Sequence, residues 1–211
     1  SYLGLLQAFC MYKADFVQTK LNDDGLDIED LKNTVKTYKP KAAYLIPNFQ
    51  NPTGLTYTKE NREKVFEVIK DEDMILIQDD PYGELRFEEG ERIPYIGLNK
   101  SEKNLYLGSF SKIVTPGMRL GYIIGNSEII KMLETAKQAS DLHSNIFGQY
   151  LIADYLYNND LDKHIEKIKT LYKKQAYTMV EAMEEFFPKD IKFTRPKGGM
   201  FTWVTLPEGM D

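Results

Sequence analysis

Between Asp27 and Lys39 the side chains Ile28, Leu31, Val35 and Tyr38 recur at steps of three and four. That spacing predicts an amphipathic helix, with Asp27 placed to cap its first turn. A short apolar run from Ala42 to Ile46 follows and reads as a strand. The alternation then repeats. Arg62, Val65, Phe66 and Ile69 mark one face of a second helix, Met74 to Gln78 a second strand, Asn104 to Leu107 a third, and LGYIIG from Leu120 a fourth. Helical spacing takes over at Ile129, Ile130, Leu133 and Ala136, and again at Ile146, Phe147, Tyr150 and Leu151. From Asp160 to Phe187 the positions Leu161, Ile165, Ile168, Tyr172, Ala176, Met179 and Met183 predict one long amphipathic helix. The closing IKFTRPKGGMFTWVTLP reads as two short strands around a Pro/Gly turn.

Strands alternating with helices predict an α/β fold with a mostly parallel sheet flanked by helices. We read residues 1–159 as this large domain. Residues 160–211 supply a bridging helix and the start of a smaller α+β domain.

Composition narrows the function more than the fold. At 42% hydrophobic and 28% charged residues the chain is ordinary globular protein, and 211 residues are enough for a real core. A net charge of -5 gives no electrostatic footprint for nucleic acid or an anionic membrane. The single cysteine, Cys10, excludes an internal disulfide. The opening SYLGLLQAFCMY lacks a basic leader and a cleavage pattern, and no apolar run is long enough to span a bilayer, so the expected location is the cytoplasm. The chain starts without Met and stops at LPEGMD just after a strand, which we read as a fragment of a longer enzyme.

In open α/β sheets, ligands sit outside the carboxyl ends of the strands. Asn51-Pro52-Thr53-Gly54 follows the first strand run, Asp79-Asp80-Pro81-Tyr82 the second, and Ser109-Phe110-Ser111-Lys112 the third. Each has a bland reading. The first is an ordinary turn, and paired aspartates cap helices or hold magnesium beside a phosphate loop. No G-x-x-x-x-G-K-[ST] is present to support the magnesium reading. The S-x-x-K at Ser109 formally matches penicillin-recognising serine enzymes, but their S-D-N element is missing. His143 and His164 stand far apart without metal-ligand spacing, so no metal site is expected.

Amide, acid, phenol, hydroxyl and amine groups leaving three successive strands together point to a site. Lys112 is a candidate phosphate clamp, a nucleophile, or both. An aldehyde cofactor such as pyridoxal 5'-phosphate needs an amine, an acid partner for its ring nitrogen, donors for its ring oxygen and a phosphate cradle. Lys112, Asp79, Tyr82 with Asn51, and Ser109, Ser111 and Arg119 are candidates for those posts in turn.

The strings YLIPNFQNPTG, DDPYGELRF, YLGSFSK and PGMRLGY, with RPKGGMF near the end, resemble fold-type I, class I/II aminotransferases of the 2-aminoadipate and kynurenine branch. The resemblance spans essentially the whole chain. It implies pyridoxal 5'-phosphate bound as a Schiff base to Lys112, whose freed amine then shuttles a proton. It further implies Asp79 on the pyridinium nitrogen, Tyr82 and Asn51 on the ring oxygen, Ser109, Ser111 and Arg119 on phosphate, and Tyr2 stacked on the ring. The implied reaction is transamination between an amino acid and a 2-oxo acid, in a homodimer, with no nucleic-acid or membrane partner for this chain. Family members carry a substrate-carboxylate arginine in a C-terminal segment, and Arg62, Arg86, Arg92, Arg119 and Arg195 do not stand at that position. A second reading is the cofactor-sensing domain of a winged-helix transcriptional regulator.

Overall fold

A computed structural model describes residues 2–88 and 103–210; Arg92 lies outside the described residues. In chain order, helix α1 (Leu3–Cys10) leads to an antiparallel hairpin of β1 (Leu21–Asn22) and β2 (Gly25–Leu26). Helix α2 (Ile28–Tyr38), strand β3 (Ala42–Leu45), helix α3 (Lys59–Ile69) and strand β4 (Ile75–Asp79) follow. Strand β5 (Asn104–Ser109), a 3-10 turn at Pro116–Met118 and strand β6 (Gly121–Ile124) complete the sheet. Then come helices α4 (Ser127–Asp141), α5 (Ile146–Asn158) and α6 (Leu161–Phe186). Strands β7 (Lys192–Phe193) and β8 (Val204–Thr205) pair antiparallel at the end.

The main sheet runs β3-β4-β5-β6, with the first three parallel and β6 returning antiparallel to β5. The expected α/β architecture with a mostly parallel sheet is therefore present. The helix starts follow from local chemistry. Asp27 accepts the Asp30 backbone N–H at 3.0 Å, and Thr58 accepts that of Asn61 at 3.1 Å, so each cap satisfies a donor that the first turn leaves open.

Helices α2 and α3 bury Leu31, Val35, Val65 and Ile69 against Leu45, Met74 and Leu76 of the sheet side, with Leu26 and Tyr57 closing the cluster. Each such side chain contributes roughly 1.5–3 kcal/mol over its exposed state. A second cluster of Leu85, Ile113 and Ile165, flanked by Phe110, Leu161, Ile168 and Tyr172, docks the first turns of α6 onto the loops after β4 and β5.

Four features differ from the sequence reading. Helix α1 and the β1–β2 hairpin were not foreseen, because one is short and buries no residue and the other has two-residue strands. Strand β5 extends through Gly108 and Ser109, which read as a turn in sequence. There Gly108 pairs with Tyr122, whose ring occupies the space a side chain would need: a Cβ at Gly108 would lie 2.1 Å from Tyr122 Cζ. Tyr38, expected on the apolar face of α2, is exposed. Several apolar positions of α4 and α5 also stay open, with Leu133 exposed and Phe147 and Tyr150 70% and 74% exposed, although Ile152 is buried, and every residue of β6 is exposed. No helix among the described residues is long and apolar enough to cross a membrane.

Candidate active site

Parallel pairing of β3, β4 and β5 aligns their carboxyl ends along one edge. Asp79 is the last residue of β4 and pairs with Leu107, and Ser109 ends β5. The three candidate loops therefore begin within a few residues of one another in the sheet's register, and the third, the β5-to-β6 return, carries both Lys112 and Arg119.

The loop after β3 is held by its own side chains. Gln50 Oε1 accepts both the Thr53 backbone N–H at 3.0 Å and the Thr53 hydroxyl at 2.6 Å, and the Gln50 N–H donates to Leu55 O at 2.8 Å. The Asn51–Pro52 peptide is cis. Beneath the loop lies Arg62, 3% exposed, which donates through Nε to Tyr57 O (3.0 Å) and through Nη2 to Pro47 O (2.9 Å) and Asn48 Oδ1 (2.7 Å). Arg62, predicted on one face of α3 together with Val65 and Ile69, thus supports the turn that presents Asn51.

Asn51 lies near enough to the phenol of Tyr82, on the next loop, to influence its titration. Burial raises the Tyr82 pKa; Asn51 opposes that, and the nearby Asp79 adds to it. Asn51 and Tyr82, assigned together from the sequence, thus lie near one another at this edge. The carboxylate of Asp79 accepts a hydrogen bond from the Tyr44 hydroxyl. Burial pushes the Asp79 carboxyl up from its ordinary value, the Tyr44 bond lowers it, and the charge of Asp80 raises it again. Asp80 itself points inward: it is 4% exposed and accepts the Tyr106 hydroxyl at 3.0 Å. The two adjacent aspartates thus divide into a site residue and a core residue, because successive side chains leave a strand on opposite faces.

Lys112 and both serines are half-buried in the turn after β5. Ser109 Oγ accepts the Ser111 backbone N–H at 3.1 Å, and the turn is closed by the Val114 and Thr115 N–H groups on Phe110 O. Arg119 is exposed and sits in the left-handed region (φ 54°), with Nη1 3.4 Å from Pro116 O. It is brought to the same turn because Phe110 N–H donates to Leu120 O at 3.2 Å. Tyr2, half exposed just ahead of α1, lies within electrostatic range of Tyr44 and Tyr82.

Two contributors were not visible in the sequence. Tyr44 read only as strand filler; its signal was its register, opposite Ile77 and two positions short of Asp79 on the same face. Phe201 stands edge-on to Tyr82, carried there by the RPKGGMF loop. That loop is tied to both preceding loops: Thr194 Oγ1 donates to Thr53 O at 3.2 Å, Phe87 N–H to Lys197 O at 2.9 Å and Gly199 N–H to Leu85 O at 2.9 Å. Gly54 (φ +71°) is required at its contact, since a Cβ there would come within 2.6 Å of Phe201 O.

A surface groove of about 980 Å³ lies elsewhere, between α2 and α3, lined by residues such as Lys32, Lys36, Glu63 and Glu67. Its flanks carry mixed exposed charge and none of the residues above. Among the described residues no cluster of His, Cys, Asp or Glu has the arrangement of a metal site.

Comparison with known proteins fits this geometry. The model of the aminotransferase class I and II family matches residues 1–210. An aromatic-amino-acid aminotransferase from Thermococcus litoralis is 42% identical over all of this chain and 52% of its own length. A 2-aminoadipate transaminase from Thermus thermophilus is 34% identical over all of this chain and 54% of its own. The crystal structure of a Pyrococcus horikoshii kynurenine aminotransferase, in complex with PMP, superposes with a TM-score of 0.95 at 42% identity, covering 100% of this chain and 54% of that one. An uncharacterized HTH-type transcriptional regulator from Bacillus subtilis also matches, at 30% identity over 43% of its length. The chain spans about half the length of the curated relatives it matches. With the motifs in order along nearly every residue and the fold superposing throughout, the chain belongs to the aminotransferase class I and II family.

Proposed function

We propose that the protein to which this chain belongs transfers amino groups between an amino acid and a 2-oxo acid with pyridoxal 5'-phosphate as cofactor. The observation that carries this reading is the set of groups at the sheet edge: an amine on Lys112, a half-buried carboxylate on Asp79 held by the Tyr44 hydroxyl, and a Tyr82 phenol with Asn51 beside it. These groups fit the cofactor's chemistry. Burial works against the charge on Asp79, so a protonated ring nitrogen is the kind of partner that holds it ionised.

When bound, the cofactor supplies an electron sink that stabilises negative charge at the substrate's Cα. The chain's own residues do the rest. Lys112 would hold the cofactor through its amine, and the same amine would carry the proton at the substrate's Cα. Asp79 keeps the ring nitrogen protonated. Tyr82 and Asn51 would bind the ring oxygen, and Tyr2 would contribute an aromatic contact to the ring. Ser109, Ser111 and Arg119 hold the phosphate, with hydroxyls and a guanidinium suited to a dianion.

Aromatic amino acids, kynurenine and 2-aminoadipate, named for the relatives, are the substrates to try first. We read the protein as a cytoplasmic homodimer in amino acid biosynthesis. Within the chain, 1–159 is the cofactor-binding domain and 160–211 opens the smaller one. The open apolar faces of α4, α5 and β6 support burial by further protein.

The test is to add pyridoxal 5'-phosphate to the purified chain, reduce with borohydride and map the modified peptide. Label on Lys112 that is lost in Lys112→Ala supports the reading; label scattered over surface lysines overturns it. A regulator's sensing domain would also be labelled at Lys112, but would not convert an added amino acid to its 2-oxo acid in the whole protein.

A further inference from the structure

We propose that Tyr44 is a positioning residue of the cofactor site, donating its phenolic hydrogen to Asp79 Oδ2 so that the carboxylate stays ionised and fixed in orientation for a protonated ring nitrogen. The inference rests on the functional reading given above, since it concerns how Asp79 meets the cofactor.

The placement follows from strand register. Tyr44 pairs with Ile77 across the parallel β3–β4 ladder, and Asp79 lies two residues further along the same face. The phenol therefore reaches diagonally to the carboxylate at the strand's end. An ionised carboxylate only accepts, so the hydrogen bond has a single polarity, with Tyr44 as donor. Burial and the adjacent Asp79 push the Tyr44 phenol far above its ordinary range, so it stays protonated and donates at every working pH.

The charged and titratable groups around the pair make this bond matter. Asp79 feels burial and the charge of Asp80, and both favour its neutral form. Tyr2 and Tyr82 flank Tyr44. The Tyr44 hydroxyl acts in the opposite direction, favouring the carboxylate. Without it the carboxyl holds its own proton to higher pH and becomes a poorer partner for a ring cation. A tyrosine serving only to fill space would leave that balance unchanged.

The experiment is a double-mutant cycle on pyridoxal 5'-phosphate affinity, with the unmodified chain, Tyr44→Phe, Asp79→Asn and the double variant titrated by visible absorbance. Tyr44→Phe is expected to weaken binding about tenfold, the size of one hydrogen bond to a charged group. It should also shift the acid-side loss of binding to higher pH. In the Asp79→Asn background the same change should add nothing further. Affinity within twofold of the unmodified chain, or losses that simply add, would overturn the proposal. If Tyr44→Phe lowers the thermal midpoint, 3-fluorotyrosine at position 44 keeps the packing and strengthens the donor. The acid limb should then move to lower pH, and an unmoved limb overturns the inference. Borohydride labelling of the unmodified chain separates the two claims. With no label on Lys112 the functional reading fails, whereas with label on Lys112 and additive losses only the role of Tyr44 fails.

Discussion

Tyr82 and Phe201 meet edge to face, their ring centroids 5.4 Å apart and their planes at 84°. One follows β4 and the other belongs to the loop between β7 and β8, so the last segment of the chain braces a phenol at the edge of the sheet. Offset and edge-to-face aromatic pairs of this kind contribute about 0.5–1.5 kcal/mol beyond the area they bury.

Phe201→Ala should therefore act at a distance from any reacting atom. We expect a loss of about 1–3 kcal/mol in urea unfolding, combining the ring pair with lost packing. Pyridoxal 5'-phosphate affinity should also fall, because Tyr82 loses its lateral support. Phe201→Leu should restore much of the stability but little of the affinity. Equal recovery of both would show that the ring does no more than fill volume.

Asp79 makes a prediction about pH. Its folded-state pKa is raised, chiefly by burial, so the folded cofactor-free chain resists ionising it. A raised carboxyl pKa means that the folded state takes up its proton first as pH falls. Its ionisation therefore lowers stability above that pKa, and the cost disappears on acidification towards the unfolded value of about 3.9. Asp79→Asn should raise the urea midpoint of the cofactor-free chain at pH 7–8, and the gain should shrink towards zero near pH 4. A gain constant across that range would contradict the cause assigned here.

Arg62 is almost fully buried and bonds two backbone carbonyls and the Asn48 side chain. Arg62→Met removes the charge but leaves three buried acceptors without this donor, and should cost about 3–5 kcal/mol in chemical denaturation. Arg62→Lys should recover little, because an ammonium cannot match the planar fork of donors. Since Tyr57 and Pro47 frame the loop that carries Asn51, cofactor affinity should fall in both variants. Retained affinity in a folded Arg62→Lys protein would separate this support from the site.

Much of the fold was legible because local patterns and tertiary burial agree in its first half. The periodicity around Leu31 and Val35, and around Val65 and Ile69, faces the cluster it predicts. Short apolar runs at Ala42 and Met74 became strands because neighbouring ladders satisfied their backbone groups. On α4 and α5 the same kind of pattern misled as a guide to burial. Leu133 and Tyr150 keep helical spacing but remain exposed, since periodicity states which face is apolar and not what covers it.

By itself, then, the sequence determined the order of strands and helices from α2 onward, the Asp27 cap, and the residue types that follow each main-sheet strand. Those are local properties, set by backbone sterics, side-chain spacing and the chemistry of short motifs. Only the tertiary structure decided that Asp79 turns to Tyr44 while its neighbour Asp80 turns to Tyr106. It alone brought Asn51 to Tyr82 and folded Phe201 back onto that ring. Pairings of this sort depend on ladder register and loop return over long separations, and no pattern of near neighbours encodes them.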